Sequence, residues 1–456
     1  MRPGRMMHPG PGGCGRGRRV TWAGRFGVRE YVATSLWVLP LLAALVGPAL
    51  AAADVRWLDG TAGLPRGWYY SASTATSVLT AIVGAMIGLL GFVVTVGVLV
   101  VTTATGALSP RFMRIWYRDR MQRFVLATFV LTFTFSFALL RQVKQDAVPD
   151  IGVSVAGIMV TGSVVLLLIY LNRFVHQLRP VAVAALVAQV AHRAAGTSGG
   201  TAATGTGPAG RDPGPPEGPA ALVVRATRAG AIQAVGFPLM VRLADRYDLV
   251  VVLERAIGDF VTTGTPLMRV YGTGADAGRL HGLVALGHER AVGQDPAFAL
   301  RIMVDIAIRS LSPAVNDPTT AVQVIDHIDD FLQTIARVTP PTPQPLRGPD
   351  GRPRVYAPGH TFGQYLRLAT TEIVHFGAAS PQVPRRLRAM LRDLRDAVDA
   401  DQVTAVDAVL ERLDVAVTRA VADPGERRFS QAADRQGIGG PPSSDPDDAP
   451  GRPVDL

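Results

Sequence analysis

A single cysteine, Cys14, stands in a chain of 456 residues. No intramolecular disulfide can form from it, and no cysteine-rich zinc site can be built. Lysine is equally scarce: Lys144 is the only one, and every other long basic side chain is an arginine. Without lysine after position 144, the rest of the chain has no phosphate-loop lysine, no Schiff base and no attachment point for a biotinyl or lipoyl group. Four apolar runs, 31–53, 78–101, 124–140 and 151–171, contain no Asp, Glu, Lys, Arg or His. That absence counts against a charge-coupled transporter, which uses ionisable groups inside the bilayer. It leaves room for a channel closed by apolar constrictions.

Each run clears or approaches the roughly 20 residues needed to cross a bilayer as a helix. The rest of the chain, beyond about residue 175, reads as a soluble protein. The formal net charge is +10, which invites a nucleic-acid partner; the placement of the charge argues against one. Two segments carry the whole excess: residues 1–30, with Arg2, Arg5, Arg16, Arg18, Arg19, Arg25 and Arg29, and residues 102–123, with Arg111, Arg114, Arg118, Arg120 and Arg123. Both flank apolar runs, where positive charge sets orientation. The loops 54–77 and 141–150 balance their two basic residues with acidic ones. The reading is a multi-pass protein of the cell membrane with both termini cytosolic. A rival reading makes the first run a cleaved signal peptide ending at Ala49-Leu50-Ala51; the run is longer than such peptides use, and retention is favoured. In the second run, Gly84 and Gly88 form a small-xxx-small pair, extended by Gly91, which lets helices approach closely within the chain or between copies.

After the fourth run, 174–195 has apolar residues at helical spacing and predicts a juxtamembrane amphipathic helix. The Gly/Pro/Thr/Ala-rich stretch 196–220 predicts a flexible linker, with a folded unit beginning near Leu222. Residues 222–271 mix strand and helix signals, and the chain turns helical from Pro296. Residues 339–360 look like a Pro/Gly-rich insert, 362–376 and 384–421 are helical, and 425–456 has the composition of a disordered tail. The expected fold is therefore an α-helical membrane domain of four transmembrane helices followed by an α+β cytosolic domain spanning 222–421.

Three stretches carry a resemblance. One is Leu108-Ser109-Pro110-Arg111-Phe112 with Arg118-Asp119-Arg120. The second is Gly258-Asp259-Phe260-Val261-Thr262-Thr263-Gly264-Thr265-Pro266-Leu267. The third runs from Gln294-Asp295-Pro296-Ala297-Phe298 through Val304-Asp305-Ile306-Ala307 to Leu311-Ser312-Pro313-Ala314-Val315-Asn316-Asp317-Pro318-Thr319-Thr320-Ala321. Together they make the chain similar to a bacterial membrane-protein family known as domain of unknown function 2254, over roughly residues 28–415. The resemblance implies the same four-span layout and carries no established activity. The 258–270 stretch also resembles the strand–turn–strand of barrel-sandwich hybrid domains, without the lysine a carrier would need.

Chemistry-bearing motifs are thin. Gly196-Thr197-Ser198-Gly199-Gly200 fits the serine-hydrolase string, which needs a strained strand-to-helix turn and here falls in the expected linker. Gly272 to Gly278 misses the dinucleotide spacing, and His288-Glu289 lacks a second histidine four residues on. No cofactor, metal or catalytic set is expected. Asp295-Pro296 and Asp317-Pro318 each read as a helix N-cap followed by proline at the first helical position, giving helices over 296–311 and 318–334 around a turn. Ser312, Asn316 and Asp317 on that turn form a polar cluster at a helix N-terminus; architecture explains it, and an anion or metal-bound phosphate is the functional alternative. Expected partners are the lipid bilayer and a second copy of the chain. Three function classes survive in order: a non-enzymatic membrane sensor or scaffold, an oligomeric channel, and a membrane-tethered enzyme.

Overall fold

The computed structural model describes residues 21–58, 69–107, 120–145, 147–177, 179–202, 214–274, 276–339 and 344–440. Cys14 and the stretch 108–119 lie outside them. Among the described residues, four helices are long and apolar enough to cross a membrane: Val38–Arg56, Ala72–Leu99, Arg120–Leu140 and Asp150–Arg173. They belong to α2 (Val38–Ala53, continued by a π-helical turn to Leu58), α3 (Ala72–Ala107), α4 (Arg120–Leu140) and α5 (Asp150–Gln177).

The first span begins later than the expected residue 31. A separate helix, α1 (Trp22–Thr34), precedes it, and the chain bends at 35–37 before α2 starts. The apolar run is continuous across this bend, so hydropathy alone could not divide it. Among the spans α4 is the central one, packed on α2, α3 and α5. Gly47 lets α2 close onto α4, where an added methyl would stand 2.8 Å from the Phe135 amide and overlap the Thr134 hydroxyl. A buried hydrogen bond of 3.2 Å joins Thr132 on α4 to Ser163 on α5. Leu79, Ile82, Met86 and Val93 of α3 face this core. Gly84, Gly88 and Gly91 lie on the opposite side of α3, with nothing within 4 Å of an added Cβ.

Two units, one mixed and one helical, follow the four spans. In the sheet unit, β1 (Leu222–Arg225), β5 (Pro266–Tyr271), β3 (Val250–Leu253), β8 (Pro353–Tyr356) and β7 (Leu346–Arg347) form one sheet, in that spatial order. β4 (Phe260–Val261), β2 (Gly230–Val235) and β6 (Val284–Gly287) form the other. Helices α7 (Phe237–Arg246) and α8 (Ala277–His281) complete the unit, and Val224, Ile232, Met240, Val251, Met268 and Val284 meet in its core. The expected insert at 339–360 thus corrects to a structural part: β8 pairs in parallel with β3, matching Val355 to Val251. Only four residues carry the strand signal, and the Pro/Gly background hides it. Arg354, buried next to Val355, anchors β8 through Asp248 (2.6 Å) and Asp350 (2.9 Å).

The helical unit contains α6 (Pro180–Ala202), α9 (Pro296–Ser310), α10 (Pro318–Val338), α11 (Phe362–Gly377), α12 (Gln382–Ala397) and α13 (Ala400–Ala420). Here the juxtamembrane reading is corrected. Val183, Ala184, Val187, Ala188, Ala191 and Ala195 of α6 are buried in the same core as α9 and α10. Apolar residues at helical spacing reveal a covered face, and the cover is protein, not lipid. Helix α6 also runs seven residues into the expected linker, placing Gly196–Gly200 on a helix rather than on a nucleophile elbow, while linker residues 203–213 lie outside the described residues. A folded soluble fragment starting at Leu222 would therefore lack one core helix.

The expected disordered tail is corrected as far as residue 440; residues 441–456 lie outside the described residues. Helix α14 (Pro424–Gln431) and residues up to 440 lie on α12. Fully buried Arg385 donates to the carbonyls of Gly440 (2.6 Å) and Ala432 (3.3 Å), with its guanidinium 4.0 Å over the Phe429 ring. Polar composition suggested disorder; main-chain carbonyls bound by one buried arginine order the segment instead.

Candidate functional site

The turn between α9 and α10 follows the spacing of its sequence. Asp295 caps α9 by accepting from the Phe298 amide at 2.9 Å, and Asp317 caps α10 by accepting from the Thr320 amide at 3.0 Å. The second carboxylate oxygen of Asp317 accepts from the Thr320 hydroxyl at 2.6 Å. Both oxygens are therefore engaged within the first turn of α10. Asn316 sits at φ +47°, its amide donating to the Ser312 carbonyl at 2.8 Å. Asparagine tolerates this left-handed backbone better than residues with larger side chains. Of the expected cluster, Asn316 is exposed, while Ser312 and Asp317 are half-buried.

This geometry sets a mutational series. Asp317→Asn should leave stability nearly unchanged, because asparagine caps as well as aspartate, and Asp317→Ala should cost about 1 kcal/mol. Asn316→Ala should cost up to about 1 kcal/mol through its left-handed φ, while Asn316→Gly should be nearly neutral. Hydrogen-exchange protection of α10 in the solubilised full chain measures all four. A loss of phenotype in Asp317→Asn at unchanged protection would assign the charge a role beyond capping.

A second constellation escaped the sequence reading. The caps pattern alone singled out Asp295, yet its other carboxylate oxygen, Oδ2, is buried with no hydrogen-bond partner. Asp295 is only 4% exposed. It lies where the sheet unit meets the helical unit, against Gly258, whose φ of +94° and lack of a side chain let the Oδ2 atom approach. Gln294 beside it accepts from the Val235 amide of β2 at 3.0 Å, tying the start of α9 to the sheet. Burial raises the Asp295 pKa above the ordinary carboxylate value, only partly offset by the Phe298 amide and the charges of Arg290 and His360. Tyr365 on α11 is buried nearby, its pKa raised by burial and by the Asp295 charge. His360 stacks at a tilt on Tyr365, ring centroids 5.4 Å apart. The signal was present as two separate strings, Gly258-Asp259 and Gln294-Asp295-Pro296; only the fold brings them together.

Arg301 on α9 bridges Asp305 at 2.7 Å and Glu372 on α11. Among the described residues, no group of three or more His, Cys, Asp or Glu is placed to hold a metal ion.

The second and third of the three motif stretches therefore converge on one seam, while most of the first, 108–119, falls outside the described residues. The family described as predicted membrane protein (DUF2254) matches residues 33–393 of the chain. The chain belongs to this family. Its match covers the four spans, the sheet unit and the seam, and stops before the strap of residues 424–440. Uncharacterized proteins of Mycobacterium bovis and Mycobacterium tuberculosis are each 28% identical over 454 residues, covering 92% of this chain and 85% of their own length. No solved structure matches. Membership fixes the chain as a predicted membrane protein and assigns no activity.

Proposed function

We propose that this protein is a non-enzymatic membrane sensor or scaffold, with its soluble units on the cytosolic face and coupled mechanically to the spans. One observation carries the reading: α1, which leads into the first span, is seated on the sheet unit. The Ala23 amide donates to the Gly282 carbonyl at 2.9 Å. The Trp22 ring lies over Gly236, where an added methyl would stand 3.0 Å away. Residues before the first span and after the fourth thus touch, which supports an even number of retained spans. A cleaved first run would discard α1, so the contact also favours retention. Motion of the spans would reach the sheet unit through α1 and the helical unit through α6. The positive-inside pattern supports the cytosolic side for both.

A disulfide tests the coupling. An added Cβ at Gly282 would lie 3.1 Å from the Thr21 Cβ, close to the separation a disulfide needs after slight relaxation. In a Cys14→Ser background, Thr21→Cys with Gly282→Cys should be joined in most chains when membranes are oxidised. In intact cells a cysteine at Gln145 should react with an impermeant maleimide, and one at Val415 should not. An unjoined pair, or labelling of Val415→Cys from outside, would overturn the reading. The alternative, an oligomeric channel, draws on the open Gly84, Gly88 and Gly91 face of α3. It predicts that Gly88→Cys crosslinks between copies in the same membranes.

A further inference from the structure

Helix α1 has two faces with different partners. One is the docked face just described, where Trp22 stacks on Phe26 at 5.5 Å between ring centroids and reaches the sheet unit. The other is apolar and uncovered: Val28, Tyr31 and Val32 are 64%, 68% and 40% exposed. Their spacing of i, i+3 and i+4 makes a single stripe. Arg25 and Arg29, both exposed, run along one flank of it, and Glu30 points to the opposite side of the helix. Trp37, at the bend into the first span, is exposed too.

A contact with another span relates this stripe to the start of α4. Arg123, in the first turn of α4, donates to the Val32 carbonyl at 3.1 Å. The C-terminal end of α1 therefore sits level with the point where α4 enters the apolar region. Val38, only a few residues later, already begins the first span. An apolar stripe at that height, continuous with a span and edged by arginines and by aromatic residues, has the composition of a helix lying in the headgroup layer.

We propose that α1 is an interfacial helix whose Val28–Tyr31–Val32 stripe inserts among lipid headgroups, with Arg25 and Arg29 selecting anionic lipid. The bilayer surface then holds the sheet unit at a set height through Trp22, and the lipid charge of that leaflet becomes the quantity the protein reads. The inference rests on the coupling proposed above and adds its partner. Attraction of basic residues to an anionic leaflet falls off within a Debye length, so only residues at headgroup depth gain from it. With α1 lying along the surface, Arg25 and Arg29 share the depth at which Arg123 meets Val32.

The test uses the full-length Cys14→Ser chain in lipid nanodiscs, with a fluorophore on a single cysteine at Val28 or Val32. A nitroxide placed near the headgroup of the lipid serves as quencher. Discs contain phosphatidylcholine alone or mixed with phosphatidylglycerol. Quenching at both positions is expected, several-fold stronger in the mixed discs, and Arg25→Gln with Arg29→Gln should erase that difference. No quenching at either position would overturn the proposal, since the stripe would then face water or protein. Equal quenching in both discs, unchanged by the arginine substitutions, would overturn the selection of anionic lipid. The Thr21→Cys with Gly282→Cys disulfide separates the two readings: its failure removes the coupling, whereas its formation without quenching removes this inference alone. The disulfide should still form in the arginine variant; its loss there would show that those arginines hold α1 to protein, against the proposal.

Discussion

Arg386→Met is expected to destabilise the helical unit by about 3–5 kcal/mol, because it strands a buried carboxylate. Arg386 on α12 donates to Asp326 at 2.6 Å and to Asp329 at 2.8 Å, both on α10. The two acids differ in surroundings. Asp326 is about half exposed, so its pairing is screened and adds little. Asp329 is only 7% exposed, and beyond Arg386 it has the Gln333 amide at 3.1 Å. Methionine keeps most of the volume and the apolar contacts, so the loss isolates the charge. Adding Asp329→Leu should recover most of it, since a packed apolar pair replaces an ion pair at little net cost. Urea denaturation of the solubilised full chain, read alongside hydrogen exchange of α10, gives both values. A loss under about 1 kcal/mol for the single variant would mean that Asp329 reaches water or another partner.

Gly258→Ala should be nearly as damaging, at about 2–4 kcal/mol. The methyl meets a backbone at φ +94° and overlaps the Oδ2 of Asp295. Asp295 cannot retreat without releasing the α9 cap. The same carboxyl has a pH signature. Its pKa is raised by burial in the folded protein. The stabilisation from this group is therefore complete below the unfolded value of 3.8 and is lost as pH rises through the raised folded value. Asp295→Asn keeps the cap and removes the titration. It should match the parent protein in acid and exceed it at neutral pH, as read by denaturation at several pH values. A parallel pH profile for the two proteins would show that Asp295 is ionised at no cost, and that Oδ2 has a partner in solution.

The legible parts of this fold are those where one local rule decides. Asp-Pro at 295–296 and at 317–318 fixed two helix starts, because cap and proline act within one turn. Runs without charge gave the four spans, because a bilayer tolerates little else. The bend at 35–37 was hidden, because apolar residues continue through it. Helix α6 read as amphipathic, but periodicity does not say whether lipid or protein covers the apolar face. The strand at 353–356 and the strap at 424–440 depend on distant partners, Val251 in one case and Arg385 in the other. The seam around Asp295 was invisible for the same reason: Gly258 and Asp295 matter to each other only once the sheet and helical units meet. Ser312 and Asn316 keep the places their spacing implied, and the oxygens of Asp317 serve the cap.

The docking of α1 also bears on how the chain is made. Trp22 and Ala23 emerge early, yet Gly236 and Gly282, their seat, are synthesised more than two hundred residues later. At roughly 5–20 residues per second, α1 waits on the order of 10–40 s for its partner. During that interval four spans are inserted and the Trp22 ring has no sheet unit to cover it. A bilayer surface beside the emerging first span is the nearest apolar refuge. The stripe that faces lipid in the finished protein can hold α1 parallel to the membrane throughout, leaving the Trp22 face turned towards the side from which the sheet unit arrives. Shortening α1 would then slow maturation and expose nascent chains to proteolysis before it weakened the completed fold.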